Sequence, residues 1–173
     1  EDTYEIAGEP YFGYMRGRFS AAELKELDAY GRMFGVELVP CIQTLAHLNA
    51  ITRWPRYAPM IDCNDILLAG DDRTYELVDK MFATLAECFK SRRVNIGMDE
   101  AFWLGRGKYQ TINGAEKSES IMKRHLERVL EIAAKYGFTC EMWGDMFMRA
   151  AYGEVCEHTY DHAEEVKKKV PGN

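Results

Sequence analysis

Asp99 and Glu100 stand side by side at the end of a short run, Arg93-Val94-Asn95-Ile96-Gly97-Met98, where a strand is expected to finish. Adjacent carboxylates can be given different protonation states by their surroundings, one kept as an anion and the other as an acid. Most Asp-Glu pairs are solvated turns, so this pair gains meaning only from what recurs around it. His47 follows an apolar run at 36–42, and Trp143 and Asp145 end another at 138–143. A carboxylate pair, a histidine and an indole at successive strand ends form a rim suited to a sugar. Sugar rings have apolar faces that stack on aromatic side chains, and hydroxyls that need acceptors. Taken singly, Trp143 could be core packing and His47 a hydrogen-bonded loop residue.

Helices must hold those strand ends in place. Ser20 with Glu23 makes a capping box, and Leu24, Leu27, Tyr30 and Phe34 then recur at helical spacing until Gly35. The run 36–42 reads as a buried strand, followed by a long irregular stretch at 43–70. Asp71 or Asp72 caps a second helix whose inner face is Leu77, Val78, Met81, Phe82, Leu85 and Phe89. After the strand at 94–98 comes a loop at 103–114. A helix at 118–136 then presents Ile121, Leu126, Val129, Leu130 and Ala133 before Gly137. A third strand at 138–143 and a polar helix at 161–170 complete the chain. Strands alternating with helices imply a parallel sheet wrapped by helices. Loops are long after strands and short after helices, the pattern of a barrel whose function sits on one face.

The 173 residues, 47% hydrophobic and 29% charged, suit one domain. A full (β/α)₈ barrel needs roughly 200 residues or more, so the chain reads as a piece of one. We expect residues 1–173 to be a partial catalytic domain with no second domain, the acids Glu1-Asp2 marking the end of a further strand. A net charge of −6, spread along the chain, argues against a nucleic-acid partner. Lys167-Lys168-Lys169 reads as a solvated face. No apolar stretch approaches the roughly 20 residues that span a bilayer. Cys41, Cys63, Cys88, Cys140 and Cys156 are odd in number and lack a CxxC, which favours buried free thiols in a reducing compartment. Cys156, His158 and His162 have no obvious fourth partner and are set aside as a metal site.

Three segments, taken in order, resemble glycoside hydrolase family 20, the β-N-acetylhexosaminidases, in its hexosaminidase D-like branch without the large lysosomal-type accessory domain. They are Phe12-Gly13-Tyr14-Met15-Arg16-Gly17-Arg18, Pro40-Cys41-Ile42-Gln43-Thr44-Leu45-Ala46-His47-Leu48 and Ile96-Gly97-Met98-Asp99-Glu100-Ala101, with Trp143-Gly144-Asp145-Met146 continuing the match. The resemblance implies a (β/α)₈ TIM barrel of which this chain covers about half, roughly strands 2/3 to 5. It implies a substrate-assisted retaining hydrolysis of terminal β-linked GlcNAc or GalNAc, with no cofactor and no metal. The substrate's acetamide attacks its own anomeric carbon. Asp99 then orients that amide, and Glu100 protonates the leaving oxygen. Glu100 must therefore start protonated near neutral pH, which calls for burial or a neighbouring negative charge. His47 supports Glu100, and Asp2, with Glu1 as an equally acidic neighbour, orients His47. Trp143 grips the sugar ring, and Asp145 takes a hydroxyl.

The family's Gly-Gly before the acids is Gly97-Met98 here, and its Pro-Gly-His is Leu45-Ala46-His47. Its first-strand arginine and later-strand aromatic residues have no counterpart, so the isolated chain is expected to be inactive. The partners implied are N-acetylhexosamine glycans, with no nucleic acid and no membrane; homo-oligomers stay open, and the cytoplasm is the expected location. Two other classes compete: a metal-dependent barrel sugar isomerase or epimerase, and a non-catalytic glycan-binding remnant.

Overall fold

The computed structural model describes residues 2–152. Glu1, Cys156, His158, His162, the lysine run at 167–169 and the expected helix at 161–170 lie outside them. At the centre is a parallel layer of three segments. β3 (Arg93–Asn95) pairs with β4 (Thr139–Glu141) in register Arg93–Thr139, Val94–Cys140 and Asn95–Glu141. On its other edge runs the segment 40–44: Asn95 N–H donates to Pro40 O at 2.9 Å, Ile42 N–H to Asn95 O at 2.8 Å, and Thr44 N–H to Ile96 O at 3.2 Å. Val94, Ile96 and Ile42 share one face of the layer and are buried there, whereas Cys41, Arg93, Thr139 and Glu141, on the other face, are exposed. Parallel strands end on one side. The residues that follow 44, 96 and 142 therefore share one rim.

Helices cover the layer. α1 (Ala21–Met33) starts at Ser20, whose side chain accepts from Glu23 N–H while Glu23 reaches back to Ser20 N–H. α3 (Asp72–Cys88), capped by Asp71, buries Leu77, Val78, Met81, Phe82 and Leu85, as its spacing predicts. α5 (Ser118–Lys135) buries Ile121, Leu126, Val129 and Ala133, and packs on α3, as α1 does. The N-terminal loop is pinned by Glu9, which takes hydrogen bonds from Arg56, Tyr57 and Lys80. Burial opposes charge on Glu9, but Arg56 and Lys80 hold it below the ordinary carboxylate range.

Four expectations are corrected. In α1 only Leu24 of the expected inner face is buried, while Leu27, Tyr30 and Phe34 are exposed. Helical spacing reveals an apolar stripe, not whether a neighbour covers it. The run 36–42 is not a buried strand throughout: residues 36–39 make no strand pairing among the described residues, Val36 and Cys41 are exposed, and strand pairing begins at Pro40. The stretch 43–70 holds α2 (Asn49–Thr52), a 3₁₀ turn (Pro55–Met60) and an antiparallel hairpin of β1 (Ile61–Cys63) and β2 (Ile66–Leu67). The loop at 103–114 contains α4 (Lys108–Asn113), and α6 (Asp145–Tyr152) follows the last strand. No helix among the described residues is long and apolar enough to cross a membrane.

One buried contact ties the helix layer to the rim. His125, on α5, is fully buried, with Nε2 2.9 Å from Thr44 O and Nδ1 3.3 Å from the Tyr75 hydroxyl. Burial pushes its pKa down to about 4, so the imidazole is neutral and carries one proton. A carbonyl can only accept, which places that proton on Nε2 and leaves Nδ1 to accept from Tyr75. The folded value lies below that of the unfolded chain, so the unfolded state binds more protons between the two. Stability is thus present above about pH 6.5 and falls as pH drops toward 4, by on the order of 3 kcal/mol. Urea unfolding of the parent and of His125→Gln across this range should show a steeper acid loss in the parent. Equal slopes would contradict it.

Candidate active site

Asp99 and Glu100 follow β3 on a backbone that turns sharply. Gly97 has φ +71°, Met98 +71° and Glu100 +51°, and His47 opposite them has +57°. Non-glycine residues adopt this left-handed region at a cost of about 1–3 kcal/mol each, and such strain concentrates at functional sites. Met98 stands where glycine would be unstrained. It is fully buried, and its packing offsets part of that cost.

The turn brings both acids to one imidazole. His47 Nε2 lies 3.2 Å from Asp99 Oδ2 and 3.5 Å from Glu100 Oε2. A single N–H serves one acceptor well, and Asp99 is the nearer. Asp99 is 24% exposed at its side chain and Glu100 59%. Glu100 is thus open to solvent among the described residues, with the Asp99 carboxylate as its neighbour on the turn.

Two flanking side chains grip the turn. Gln43, at the end of the segment 40–44, donates from Nε2 to Asp99 Oδ1 at 2.9 Å and accepts from Met98 N–H at 3.2 Å. From the other side, Asp145 Oδ2 accepts from Glu100 N–H at 3.1 Å, and its Oδ1 is buried with no hydrogen-bond partner. The turn is also closed by Asn95 Oδ1, which accepts from Gly97 N–H, and by Trp143 N–H, which donates to Gly97 O.

Of the residues singled out from sequence, His47, Asp99, Glu100 and Asp145 are brought together. Trp143 joins them through its backbone, and its residue is 52% exposed at the rim. Asp145 holds the turn through Oδ2, while its Oδ1 has no hydrogen-bond partner among the described residues. Asp2 is buried; among the described contacts its Oδ1 meets Arg16 at 3.5 Å and not His47, and its Oδ2 has no partner. Sequence reasoning missed Gln43, although a polar residue inside Pro40-Cys41-Ile42-Gln43-Thr44-Leu45 was a signal. The cavity of about 350 Å³ between α3 and α5, lined by Tyr75, Tyr109, Arg124 and His125 among others, contains none of the acid–histidine cluster. Among the described residues no group of three or more His, Cys, Asp or Glu is arranged to hold a metal ion.

A Cβ on Gly97 would run into the Gln43 amide, and the left-handed φ opposes any side chain there. Gly97→Ala should cost about 1–3 kcal/mol in urea unfolding, from strain at this φ and displacement of Gln43. An unchanged midpoint would show that the turn is not under this constraint.

Comparison with known proteins follows the same segments. The sequence profile of the glycosyl hydrolase family 20 catalytic domain matches residues 8–168. Hexosaminidase D of Bos taurus is 25% identical over 151 residues, covering 79% of this chain and 44% of that protein. The β-N-acetylhexosaminidase structure of Streptomyces coelicolor superposes with a TM-score of 0.58 at 25% identity, over 89% of this chain and 29% of that one. The N-acetyl-β-hexosaminidase of Streptomyces plicatus, solved with Thio-NAglucal, gives a TM-score of 0.66 at 23% identity, over 99% and 35%. This second likeness shows the fold alone. The chain spans less than half the length of each of these relatives.

Proposed function

The chain belongs to glycosyl hydrolase family 20, and from that membership we propose that it carries the catalytic acids of an exo-β-N-acetylhexosaminidase. Catalytic domains of this family are TIM barrels, and the described residues are an α/β portion of one. On this reading the chain supplies about half of the barrel, roughly strands 2/3 to 5, as one partial domain. Its share of its relatives' lengths supports that extent.

The observation that carries the proposal is the approach of Asp99 and Glu100 to one histidine nitrogen at the ends of parallel strands. The substrate is a glycan ending in β-linked GlcNAc or GalNAc. The oxygen of its 2-acetamido group attacks C1 as the glycosidic bond breaks, giving an oxazolinium ion and the departing alcohol. Asp99, with Gln43 at one oxygen and His47 at the other, acts as the carboxylate that receives the amide N–H and offsets the positive charge that develops there. Glu100 gives its proton to the leaving oxygen, then takes one from the water that reopens the ring. Its exposure suits a group that must meet both a departing alcohol and an arriving water. Trp143 offers an indole face to the sugar at the rim.

Hydrolysis of an aryl β-N-acetylglucosaminide should be strong, and that of the matching β-glucoside absent, when measured in the longest polypeptide that contains this chain. Glu100→Gln should lower turnover of a substrate with a poor leaving group by about 10²–10⁴-fold, the usual contribution of a general acid. A dinitrophenyl leaving group needs no proton and should be largely spared in the bond-breaking step. Equal turnover of the two sugars, or none, would contradict the proposal. Retained sugar binding with no turnover in the parent would point to a glycan-binding remnant.

A further inference from the structure

We propose that Gln43 is a positioning residue that fixes both the place and the orientation of Asp99. This inference rests on the hydrolase reading above and adds a residue to it. Gln43 is 2% exposed, so water does not compete for its amide. Its two ends have separate tasks. The carbonyl oxygen accepts from Met98 N–H at 3.2 Å, and the NH₂ donates to Asp99 Oδ1 at 2.9 Å.

Rotating the amide by half a turn would set NH₂ against the Met98 N–H and the carbonyl against the carboxylate. Both contacts would be repulsive, so the orientation is fixed by its partners. A carboxamide held this way can only donate toward Asp99, which fixes the direction in which the carboxylate faces. The other charged or titratable groups around Asp99 are His47, across the rim at 3.2 Å, Glu100 on the same turn, and Asp145, behind the Glu100 amide. Gly97 has no side chain in the space that Gln43 fills. One buried amide thereby braces the left-handed turn and holds the Asp99 carboxylate in one orientation.

The two obvious substitutions separate this from a merely structural role. Gln43→Met keeps length and volume but loses both hydrogen bonds. It should lower kcat about 10- to 100-fold, as a small misplacement of a reacting group does, with KM changed far less. Gln43→Glu keeps the acceptor for Met98 but can donate to Asp99 only when protonated. Its kcat relative to the parent should recover about tenfold or more as pH falls from about 7 to 4.5, across the ordinary range of a glutamate.

An active parent whose two variants lose rate equally at every pH would overturn the inference and leave the hydrolase reading standing. An inactive parent would instead defeat the hydrolase reading. In that case the inference is decided by NMR: the Gln43 side-chain NH₂ should give two resolved, slowly exchanging proton resonances that shift on Asp99→Asn. Resonances that do not move would overturn it.

Discussion

Neighbouring residues on an extended strand point to opposite sides, so Asp99 and Glu100 could not both face one imidazole if β3 simply continued. The left-handed conformations of Gly97, Met98 and Glu100 remove that obstacle, and they are costly without support. The support comes from the neighbouring strand ends. Gln43 takes the Met98 amide, Asp145 takes the Glu100 amide, and Asn95 takes the Gly97 amide. Each left-handed residue of the turn thus has its N–H tied to a side chain.

That support depends in turn on the parallel layer. The segment 40–44, β3 and β4 are held in register by bonds from Asn95, Ile96 and Trp143, so three strand ends arrive at one level. His125 extends the arrangement outward by tying the Thr44 carbonyl to α5, in a site dry enough to keep the imidazole neutral. The position of His47, three residues past Thr44, is therefore set from the core. Strain at the rim is tolerated because the strand ends beneath it are hydrogen-bonded in register and packed on one face against the core.

Much of this was legible in the residues, and the failures have a common cause. α3 and α5 follow their spacing because their apolar stripes meet covered surfaces. α1 carries the same kind of stripe, yet Leu27, Tyr30 and Phe34 are exposed, because a pattern records the chemistry of a face and not its neighbour. Asp99, Glu100 and His47 could be found because each ends an apolar run. Gln43 signalled itself only as a polar residue in an apolar segment, and its role depends on a contact 56 residues away with Asp99. Asp145 was found, but its bond to the Glu100 amide, 45 residues away, could not be read from the residues. Side chains that bridge strand ends acquire meaning only once the register is known.

The central claim is that the substrate's own acetamide oxygen is the nucleophile, oriented by Asp99 while Glu100 handles protons. It is tested most directly by aryl glycosides bearing N-acetyl, N-fluoroacetyl, N-difluoroacetyl and N-trifluoroacetyl groups. Each added fluorine withdraws electrons from the carbonyl oxygen and weakens it as a nucleophile. A steep, progressive fall in kcat/KM along the series is the predicted result. A flat series would contradict the account, because the oxygen that attacks C1 would then not belong to the acetamide.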